Sequence, residues 1–405
     1  TISGLLVQTD VVIDGTTTKG MGLFGLMSGT VRDLTLEGTV AGGSTNNCGL
    51  LAAYNKGSIE NVTVVGVLTG GKDSGLVTGY NFNTGKITDC RVSGIIKSGS
   101  SEIGGIAGVN AGVIKNSSMD GSVAGDDSTG GLVGLNKTGA NIQSCTVVVA
   151  VMGAGSSRYV GGFAGQNEAA AVIRSCSADS TVTGGNHVGG FVGNNLGTVW
   201  DCGSTSSRVE GTHTTNGFVG GFAGNNGGII GGSKAEADVI SNYKQTGGFV
   251  GYNDGGTIEN CRFKGTVKKT ANYDNCGGFA GMNNGGTITK CLAEGSVESL
   301  GFNTGGFVGK NTGTVQYCAT TAAVNGTGDC RGGFAGLIDD KGVASNCYAV
   351  GAVSGAGDYA GGFAGKVAAS GAVIKCYSTG KPTGANDNIG GFAGASEGVT
   401  RSCYY

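Results

Sequence analysis

Small or apolar residues recur at every second position within one stretch of each repeat of the chain. In the clearest copy these positions are Cys261, Phe263, Gly265 and Val267. The residues between them are polar and are expected to face water. A period of two is typical of a β-strand. The pattern therefore predicts one strand here in every repeat, a short second strand at a Phe-Ala/Val block and a third at a Thr-Ile segment.

The whole chain follows one glycine-rich repeat. The order Gly-Gly-Phe-Ala/Val-Gly, then Asn, then Gly-Thr-Ile/Val, then Cys returns about every 28 residues. Such a period marks a solenoid. We therefore predict an all-β, single-domain parallel β-helix of about 14 coils of ~28 residues. Residues 1–405 form one array, with a cap-like first coil at 1–40, regular coils at 41–394 and a partial last coil at 395–405.

Three columns of the repeat are expected to build the interior. The Asn column follows the glycine block where a turn must occur, and Asn tolerates the left-handed conformation. Stacked amides can also bond from coil to coil, although Ile338 and Val367 replace Asn in late copies. The expected core ladder of small thiols and stacked rings is Cys145, Cys176, Cys202, Cys261, Cys291, Cys318, Cys347, Cys376, Phe163, Phe191, Phe222, Phe249, Phe279, Phe307, Phe334 and Phe363.

Composition and charge narrow the classes of protein. The chain has 86 glycines but one proline, so it is not collagen-like. A net charge of -2, spread thinly, offers no basic stripe for nucleic acid. No apolar run reaches the ~20 residues that cross a bilayer. We expect a folded segment with no nucleic-acid partner and no membrane span.

The repeat resembles the GLUG repeat of bacterial surface proteins. The resemblance rests on Gly22-Leu-Phe-Gly, Gly131-Leu-Val-Gly and Gly162-Phe-Ala-Gly, each followed by a Gly-x-Ile/Val segment and a glycine-containing strand. It implies a β-helical region of secreted adhesins, cell-wall proteins and the non-catalytic parts of immunoglobulin A metallopeptidases. The zinc motif His-Glu-x-x-His of those peptidases does not occur in this sequence.

The thirteen cysteines are interpreted mainly as buried small apolar groups. Ser117 and Ser233 replace Cys in the same column, which agrees with a packing role. Some disulfides remain an alternative, although parallel Cβ vectors suit their torsion poorly. Cys48, Cys276 and Cys330 lie outside the column and are the expected exposed or reactive thiols.

Two sets of loop residues are candidate binding sites. An edge of aromatic side chains would contact a glycan or a protein. This expected ligand-binding edge comprises Tyr159, His187, Tyr243, Tyr273, Phe302 and Tyr359. A row of carboxylates at Asp329, Asp358 and Asp387 would bind Ca²⁺. The alternative is that each Asp caps its own turn, and no other cofactor is expected.

The preferred function is a non-enzymatic extracellular adhesin or cell-surface stalk segment, in which loops of varied length contact a host or cell-surface glycan or protein. The first alternative is a fibre subunit that stacks end to end on copies of itself, because bare solenoid ends expose strand edges. A lesser alternative is a polysaccharide-active β-helix enzyme. That alternative is weak because the chain has two histidines, His187 and His213, and scattered carboxylates, without a catalytic pair.

Overall fold

The computed structural model describes residues 1–7, 11–12, 19–212, 217–384 and 387–405. Its chain divides into two compact units, each described here by itself. Unit 1 comprises Thr1–Gly185 and Gly190–Thr205, and unit 2 comprises Asn186–Gly189 and Ser206–Tyr405. The prediction of one uninterrupted array is not tested by this division and stays a prediction.

The strands follow one another without an intervening helix in the described residues. The first strands are β1 Ile2–Val7, β2 Val11–Val12, β3 Lys19–Gly20, β4 Phe24–Met27, β5 Thr30–Arg32, β6 Thr35–Ala41, β7 Ala52–Asn55, β8 Ser58–Glu60, β9 Thr63–Thr69, β10 Ser74–Gly75, β11 Thr78–Asn81, β12 Lys86–Thr88, β13 Arg91–Lys97, β14 Ile103–Gly104, β15 Ala107–Asn110, β16 Val113–Lys115, β17 Ser118–Gly125, β18 Thr129–Gly130, β19 Val133–Asn136, β20 Asn141–Gln143, β21 Thr146–Gly153, β22 Val160–Gly161, β23 Ala164–Asn167, β24 Val172–Arg174, β25 Ser177–Gly184, β26 His187–Gly189, β27 Val192–Asn195, β28 Thr198–Trp200 and β29 Gly203–Gly211.

The later strands are β30 Phe218–Gly220, β31 Ala223–Asn226, β32 Ile229–Gly231, β33 Lys234–Ser241, β34 Gln245–Gly247, β35 Val250–Asp254, β36 Thr257–Glu259, β37 Arg262–Lys269, β38 Cys276–Gly277, β39 Ala280–Asn284, β40 Thr287–Thr289, β41 Leu292–Ser299, β42 Thr304–Gly305, β43 Val308–Asn311, β44 Thr314–Gln316, β45 Ala319–Thr320, β46 Ala323–Gly326, β47 Arg331–Gly332, β48 Ala335–Ile338, β49 Val343–Ser345, β50 Tyr348–Ala349, β51 Val353–Gly355, β52 Ala360–Gly361, β53 Ala364–Val367, β54 Ala372–Ile374, β55 Tyr377–Ser378, β56 Ile389–Gly390, β57 Ala393–Ser396 and β58 Val399–Arg401.

The fold is a parallel β-solenoid of about 13 turns of ~28 residues, which confirms the predicted fold class. About 14 coils were predicted from the Cys column. The two counts differ by about one coil. No helix that could span a membrane is present in the part of the chain that the structure describes.

Each regular coil contributes four strands rather than the three expected. In unit 1 one such coil runs through β13, β14, β15 and β16, and each pairs in parallel with its counterpart in the next coil. We call the four sheets the long sheet, the corner sheet, the phenylalanine sheet and the isoleucine sheet, in this order. In unit 2 the equivalent strands are β37, β38, β39 and β40. The additional strand is the corner strand, which has only two or three residues.

The long strands alternate between buried and exposed residues in both units. In β21 the pattern is strict over all eight residues, and Val147, Val149 and Val151 point inward. In β37 the inward residues include Phe263 and Val267. The period of two therefore places one face of each long strand in the core.

Stacked phenylalanine rings fill the interior. In unit 1 the ring centroids of Phe163 and Phe191 lie 4.7 Å apart, with an angle of 7° between the rings. In unit 2 the stack runs from Phe222 to Phe392 with neighbouring centroids 4.7 to 5.0 Å apart. The eight ladder phenylalanines have no exposed surface. Parallel in-register strands place each ring over the next, so the spacing of the rings follows the spacing of the coils.

Buried asparagines form a second ladder. In unit 1 the Nδ2 of Asn110 donates to the Oδ1 of Asn136 at 2.9 Å, and Asn136 donates to Asn167 at 2.8 Å. In unit 2 Asn253 donates in the same way to Asn283 at 2.8 Å. Asn55 and Asn81, which the sequence analysis did not include, begin this ladder. Each amide thus satisfies two buried neighbours that water cannot reach.

The turn that joins the isoleucine sheet to the long sheet requires a residue in the left-handed backbone conformation in each coil. This residue directly precedes the Cys column, and its φ lies between 50° and 56° in the non-glycine copies. The non-glycine residues at this turn are Asp33, Asn61, Asp89, Asn116, Ser144, Ser175, Asp201, Asn260, Lys290, Tyr317, Asn346, Lys375 and Ser402. Asn and Asp are frequent here because their short polar side chains tolerate this conformation.

Candidate functional site

The predicted aromatic edge is only partly at the surface. Phe302 is 40% exposed, and Tyr159, His187, Tyr273 and Tyr359 are half-buried. Their role in binding stays a prediction.

Tyr243 is the correction within this set, because its side chain has no exposed surface. Two glycines explain its burial. A Cβ at Gly211 would lie 2.1 Å from the ring of Tyr243, and one at Gly217 would lie 2.8 Å from it. The ring occupies space that these glycines leave open, so Tyr243 cannot contact a ligand at the surface.

The half-buried aromatics have partners that the sequence analysis did not foresee. In unit 2 the ring of His187 meets Phe218 edge-on at 4.6 Å, and Phe218 stacks on Tyr252 at 4.5 Å. Tyr159 and Tyr359 each lie beside a cation. Arg158 is 5.8 Å from the ring centre of Tyr159, and the Nζ of Lys366 is 5.8 Å from that of Tyr359.

Three other tyrosines form an exposed column in unit 2, which we call the tyrosine ladder: Tyr348, Tyr377 and Tyr404. Their exposed fractions are 37%, 44% and 71%. Strand register pairs Tyr348 with Tyr377, and an isolated bridge pairs Tyr377 with Tyr404. The rings of Tyr348 and Tyr377 lie 5.2 Å apart with an angle of 9° between them. The ladder is therefore a regular row of aromatic side chains open to solvent.

The position of the tyrosine ladder follows from the buried column behind it. Each ladder tyrosine comes one residue after a column cysteine, so alternation directs it outward. The backbone there is held by the thiols, since Cys347 N donates to Cys376 Sγ at 3.5 Å. The Sγ of Cys347 donates in turn to the carbonyl of Ser345 at 3.1 Å. The signal in the sequence was the repeated Cys-Tyr pair in the last copies.

A second aromatic cluster lies on the phenylalanine sheet of unit 1. The rings of Tyr80 and Phe82 are 4.8 Å apart, and Tyr54 lies 6.0 Å from Phe82. Lysines cover two of these rings, with Lys56 Nζ 4.9 Å from Phe82 and Lys137 Nζ 6.0 Å from Tyr80. Tyr54 is 7% exposed, and burial raises the pKa of its hydroxyl to about 12. This cluster offers less open aromatic surface than the tyrosine ladder.

Among the three aspartates proposed for calcium, Asp329 bonds to the next coil through its side chain. Asp329 Oδ1 accepts a hydrogen bond from the backbone N–H of Asp358 on the next coil at 2.8 Å. Asp127 makes the same contact with Arg158 N at 2.7 Å. Asp387 is exposed, and its carbonyl accepts from Tyr359 N. Within the described ranges no group of three or more His, Cys, Asp and Glu side chains is placed to hold a metal ion. Calcium binding stays a prediction from sequence alone.

The column thiols act as small hydrogen-bonding groups in the interior. Cys145 N donates to Cys176 Sγ at 3.4 Å, while the Sγ of Cys145 donates to the carbonyl of Gln143 at 3.3 Å. Ser117 makes both contacts with its hydroxyl, which accepts from Cys90 N at 3.1 Å and donates to the carbonyl of Lys115 at 2.7 Å. Burial raises the pKa of Cys90 to about 11. A small group that donates and accepts is required here, which is why serine substitutes for cysteine.

The cysteines outside the column correct a second expectation. Cys48 and Cys276 have no exposed surface, so they are not exposed thiols. Cys330 is half-buried. Burial raises the pKa of both Cys276 and Cys330 to about 11, which keeps their thiols protonated at neutral pH. All thirteen cysteines lie in the described residues, and none forms a disulfide.

Two cationic side chains are buried in unit 2. Lys269 is 1% exposed, and its Nζ donates to the carbonyl of Lys244 at 2.7 Å and to that of Asp274. Burial lowers the pKa of Lys269 to about 8. Arg331 has no exposed surface and donates to the carbonyls of Gly328 and Gly357. Carbonyl oxygens thus solvate both charges in place of water.

The stacked coils, with their buried thiol, phenylalanine and asparagine columns, define a repeat protein of the parallel β-solenoid class. The chain carries the GLUG motif, whose family model matches residues 156–183 and 242–268. The resemblance drawn from the glycine blocks is thereby confirmed. No curated protein and no solved structure matches the chain.

Proposed function

We propose that this protein is a non-enzymatic adhesin or surface segment, located outside the cell or on its surface, that binds a glycan through the tyrosine ladder. The single observation that carries the proposal is the exposed, regular row of Tyr348, Tyr377 and Tyr404. The GLUG motif and the solenoid fold are consistent with a surface protein.

The tyrosine ladder has the properties of a contact surface. Tyrosine combines a broad apolar ring with a hydroxyl, and it loses little conformational entropy when it binds. Its ring can pack against the C–H groups of a sugar while the hydroxyl bonds to sugar oxygens. The column repeats once per coil, at ~4.8 Å. A ligand that itself repeats along one direction, such as a polysaccharide chain, suits this arrangement.

The solenoid interior supports this role by fixing the tyrosine backbone. The ladder strands β50 and β55 pair in register, and Cys347 and Cys376 lie directly behind them. A rigid array of contacts pays less ordering entropy on binding than mobile side chains do. Variation of the outward residues can then change the ligand without altering the fold.

The test is binding of the 405-residue chain to a panel of soluble polysaccharides, with a glycan array followed by calorimetry. We expect the double variant Tyr348→Ala/Tyr377→Ala to bind its best polysaccharide at least tenfold more weakly, because aromatic anchors dominate such contacts. Trp200→Ala is the matched control, since it removes a singly exposed ring from β28 in unit 1, outside both candidate binding sets. Equal binding by the double variant and the parent chain would contradict the proposal.

Two further readouts separate the alternatives. Growth into filaments with increasing concentration, seen by light scattering and negative-stain imaging, would favour the fibre subunit over the adhesin. Release of soluble products from a polysaccharide would favour the β-helix enzyme. Binding without product release and without filaments is the outcome that the adhesin proposal predicts.

A further inference from the structure

The outer face of the long sheet in unit 1 has few charges over its six strands from β6 to β25. They are Glu37, Arg91, Lys97, Asp120 and Asp179. One column across six strands contains no ionisable side chain: Thr39, Val67, Ile95, Ser122, Ala150 and Thr181. Several apolar residues on this face are open to solvent, with Val148 54% and Met152 61% exposed. Contiguous apolar surface of this kind usually marks an interaction site.

The face has both a projection and a depression. A groove of about 520 Å³ crosses it, lined by Lys97, Ser122, Ala124, Ala150, Met152 and Thr181 among others. The depression exists because Ser122, Ala124 and Ala150 have small side chains. Met152 pairs with Ala124 in register, so the exposed thioether stands directly beside the depression. A surface with neighbouring knob and hole can be complementary to itself.

We propose that this face packs against the same face of a second copy of the chain, forming a two-fold symmetric dimer. A two-fold axis parallel to the strands, between β17 and β21, places Met152 over Ala124 of the second copy. The same axis places Ala150 over Ser122. Each contact then occurs twice, as an isologous interface requires.

One pair of opposite charges at the rim of the face agrees with this arrangement. The axis brings β13 of one copy opposite β25 of the other. Arg91 then lies opposite Ser177, two residues before Asp179 on the same strand. Asp120 lies opposite Val148 and one strand from Asp120 of the second copy, so these carboxylates gain no opposite charge and limit the affinity of the dimer. Opposite charges at the rim favour correct docking and disfavour other partners. The second copy is therefore favoured over a glycan as the occupant.

The size of the face suits a weak, reversible dimer. Four strands from β13 to β25, which the axis pairs with one another, are ~4.8 Å apart and about 23 Å long, and they give a projected area of roughly 440 Å². The accessible area is larger because side chains cover the face, and a standard interface buries about 800 Å² per partner. Aligned sheets pack about 10 Å apart with small and branched side chains between them.

The test is sedimentation velocity of the 405-residue chain at increasing concentration. We expect a dimer of about twice the 39.7 kDa chain mass. Met152→Lys should weaken the dimer at least tenfold, because the interface would bury an unpaired charge. Thr266→Lys, on the outer face of the long sheet in unit 2, is the control and should leave the dimer unchanged. Far-UV circular dichroism checks that both variants fold.

Charge reversal provides the second arm of the test. Arg91→Glu and Asp179→Arg should each weaken the dimer, and the chain that carries both should recover it. A chain that stays monomeric up to about 100 µM, or a dimer that Met152→Lys does not affect, would overturn the proposal. Failure here leaves glycan binding untouched, because the tyrosine ladder lies on other residues in unit 2.

Discussion

The long sheets of the two units have similar interiors and opposite exteriors. In unit 1 the outer column through Val67 and Ile95 is uncharged and partly apolar. In unit 2 the outer face of β33, β37 and β41 carries many charges and includes the ion pairs Arg262–Glu294 and Lys268–Glu298. The inward residues of both sheets are buried and mostly apolar.

This difference shows that the fold constrains the inward strand positions and leaves the outward positions free to vary. Exposed ion pairs contribute only about 0–1 kcal/mol each, so the charges in unit 2 are not required for stability. They do make that face unfavourable for packing against another sheet. The solenoid thus depends on its inward columns, while its outward positions are available for binding or for the avoidance of binding.

The largest expected effect is on the shared phenylalanine stack. Phe163→Ala in unit 1 and Phe279→Ala in unit 2 each remove a ring without exposed surface from between its neighbours. Each should lower the free energy of unfolding by about 3–5 kcal/mol, measured by urea denaturation. Similar losses in both units would show that the interiors are equivalent. A loss of unfolding free energy below about 1 kcal/mol in either unit would show that the two interiors are not equivalent.

A somewhat smaller loss is expected from the asparagine ladder. Asn136→Ala and Asn253→Ala each interrupt two amide hydrogen bonds and leave buried neighbours unsatisfied. We expect each to cost about 2–4 kcal/mol in the same assay. Asn284→Ala, whose amide bonds to an exposed Asp254, is the control and should change stability little. A control loss as large as the ladder losses would contradict the burial argument.

The interiors of the two long sheets differ in the residue at the last strand position. Lys269 ends β37 in unit 2, whereas Gly153 ends β21 in unit 1. Because the folded pKa of Lys269 is about 8 and the unfolded value is about 10.4, the unfolded state binds more protons between these values. The contribution of Lys269 to the free energy of unfolding should therefore rise by roughly 1–3 kcal/mol from about pH 8 to 10.4, while the buried thiols, whose pKa values are raised, lower the total over the same range.

The measurement is the difference in unfolding free energy between the parent chain and Lys269→Met across this pH range. The parent chain should gain stability relative to Lys269→Met as the pH rises, whereas its difference from Lys268→Met, at the exposed neighbouring position, should stay constant. Parallel pH profiles for the parent and Lys269→Met would show that the buried amine does not influence stability.

The smallest effect on stability is expected at the outer faces. Val67→Lys introduces a charge at an exposed position in unit 1, and Lys264→Val removes one at an exposed position in unit 2. Each should change the free energy of unfolding by no more than about 0.5 kcal/mol. Thermal unfolding at low protein concentration measures this without a contribution from association. A large loss at either position would mean that the outer face takes part in the fold.

The interior was predictable from sequence because every coil requires the same types of residue at the same inward positions. Period two identified the inward Cys and Val positions, and Asn after the glycine block identified a buried ladder. The corner strand was missed because two residues, such as Thr129 and Gly130, are too short to show a period. Tyr243 was misplaced because its burial depends on space left by Gly211 and Gly217, which are distant in sequence.

The surface was predictable only in part. Loop aromatics were selected by their place before the glycine block, but that place does not determine exposure. The tyrosine ladder follows the Cys column and was visible as Cys-Tyr pairs, yet outward strand positions were expected to be polar. The apolar outer face of unit 1 departs from the same expectation, at Val148 and Met152 among others.

The central claim is that the outer face of unit 1 associates while the interior alone maintains the fold. The most direct test is sedimentation velocity of the full chain carrying Val67→Lys, Ile95→Glu and Met152→Lys together, alongside its thermal unfolding. We predict a monomer in which thermal unfolding at low concentration occurs at nearly the parent temperature. A variant that still dimerises like the parent, or one that no longer folds, would contradict the claim.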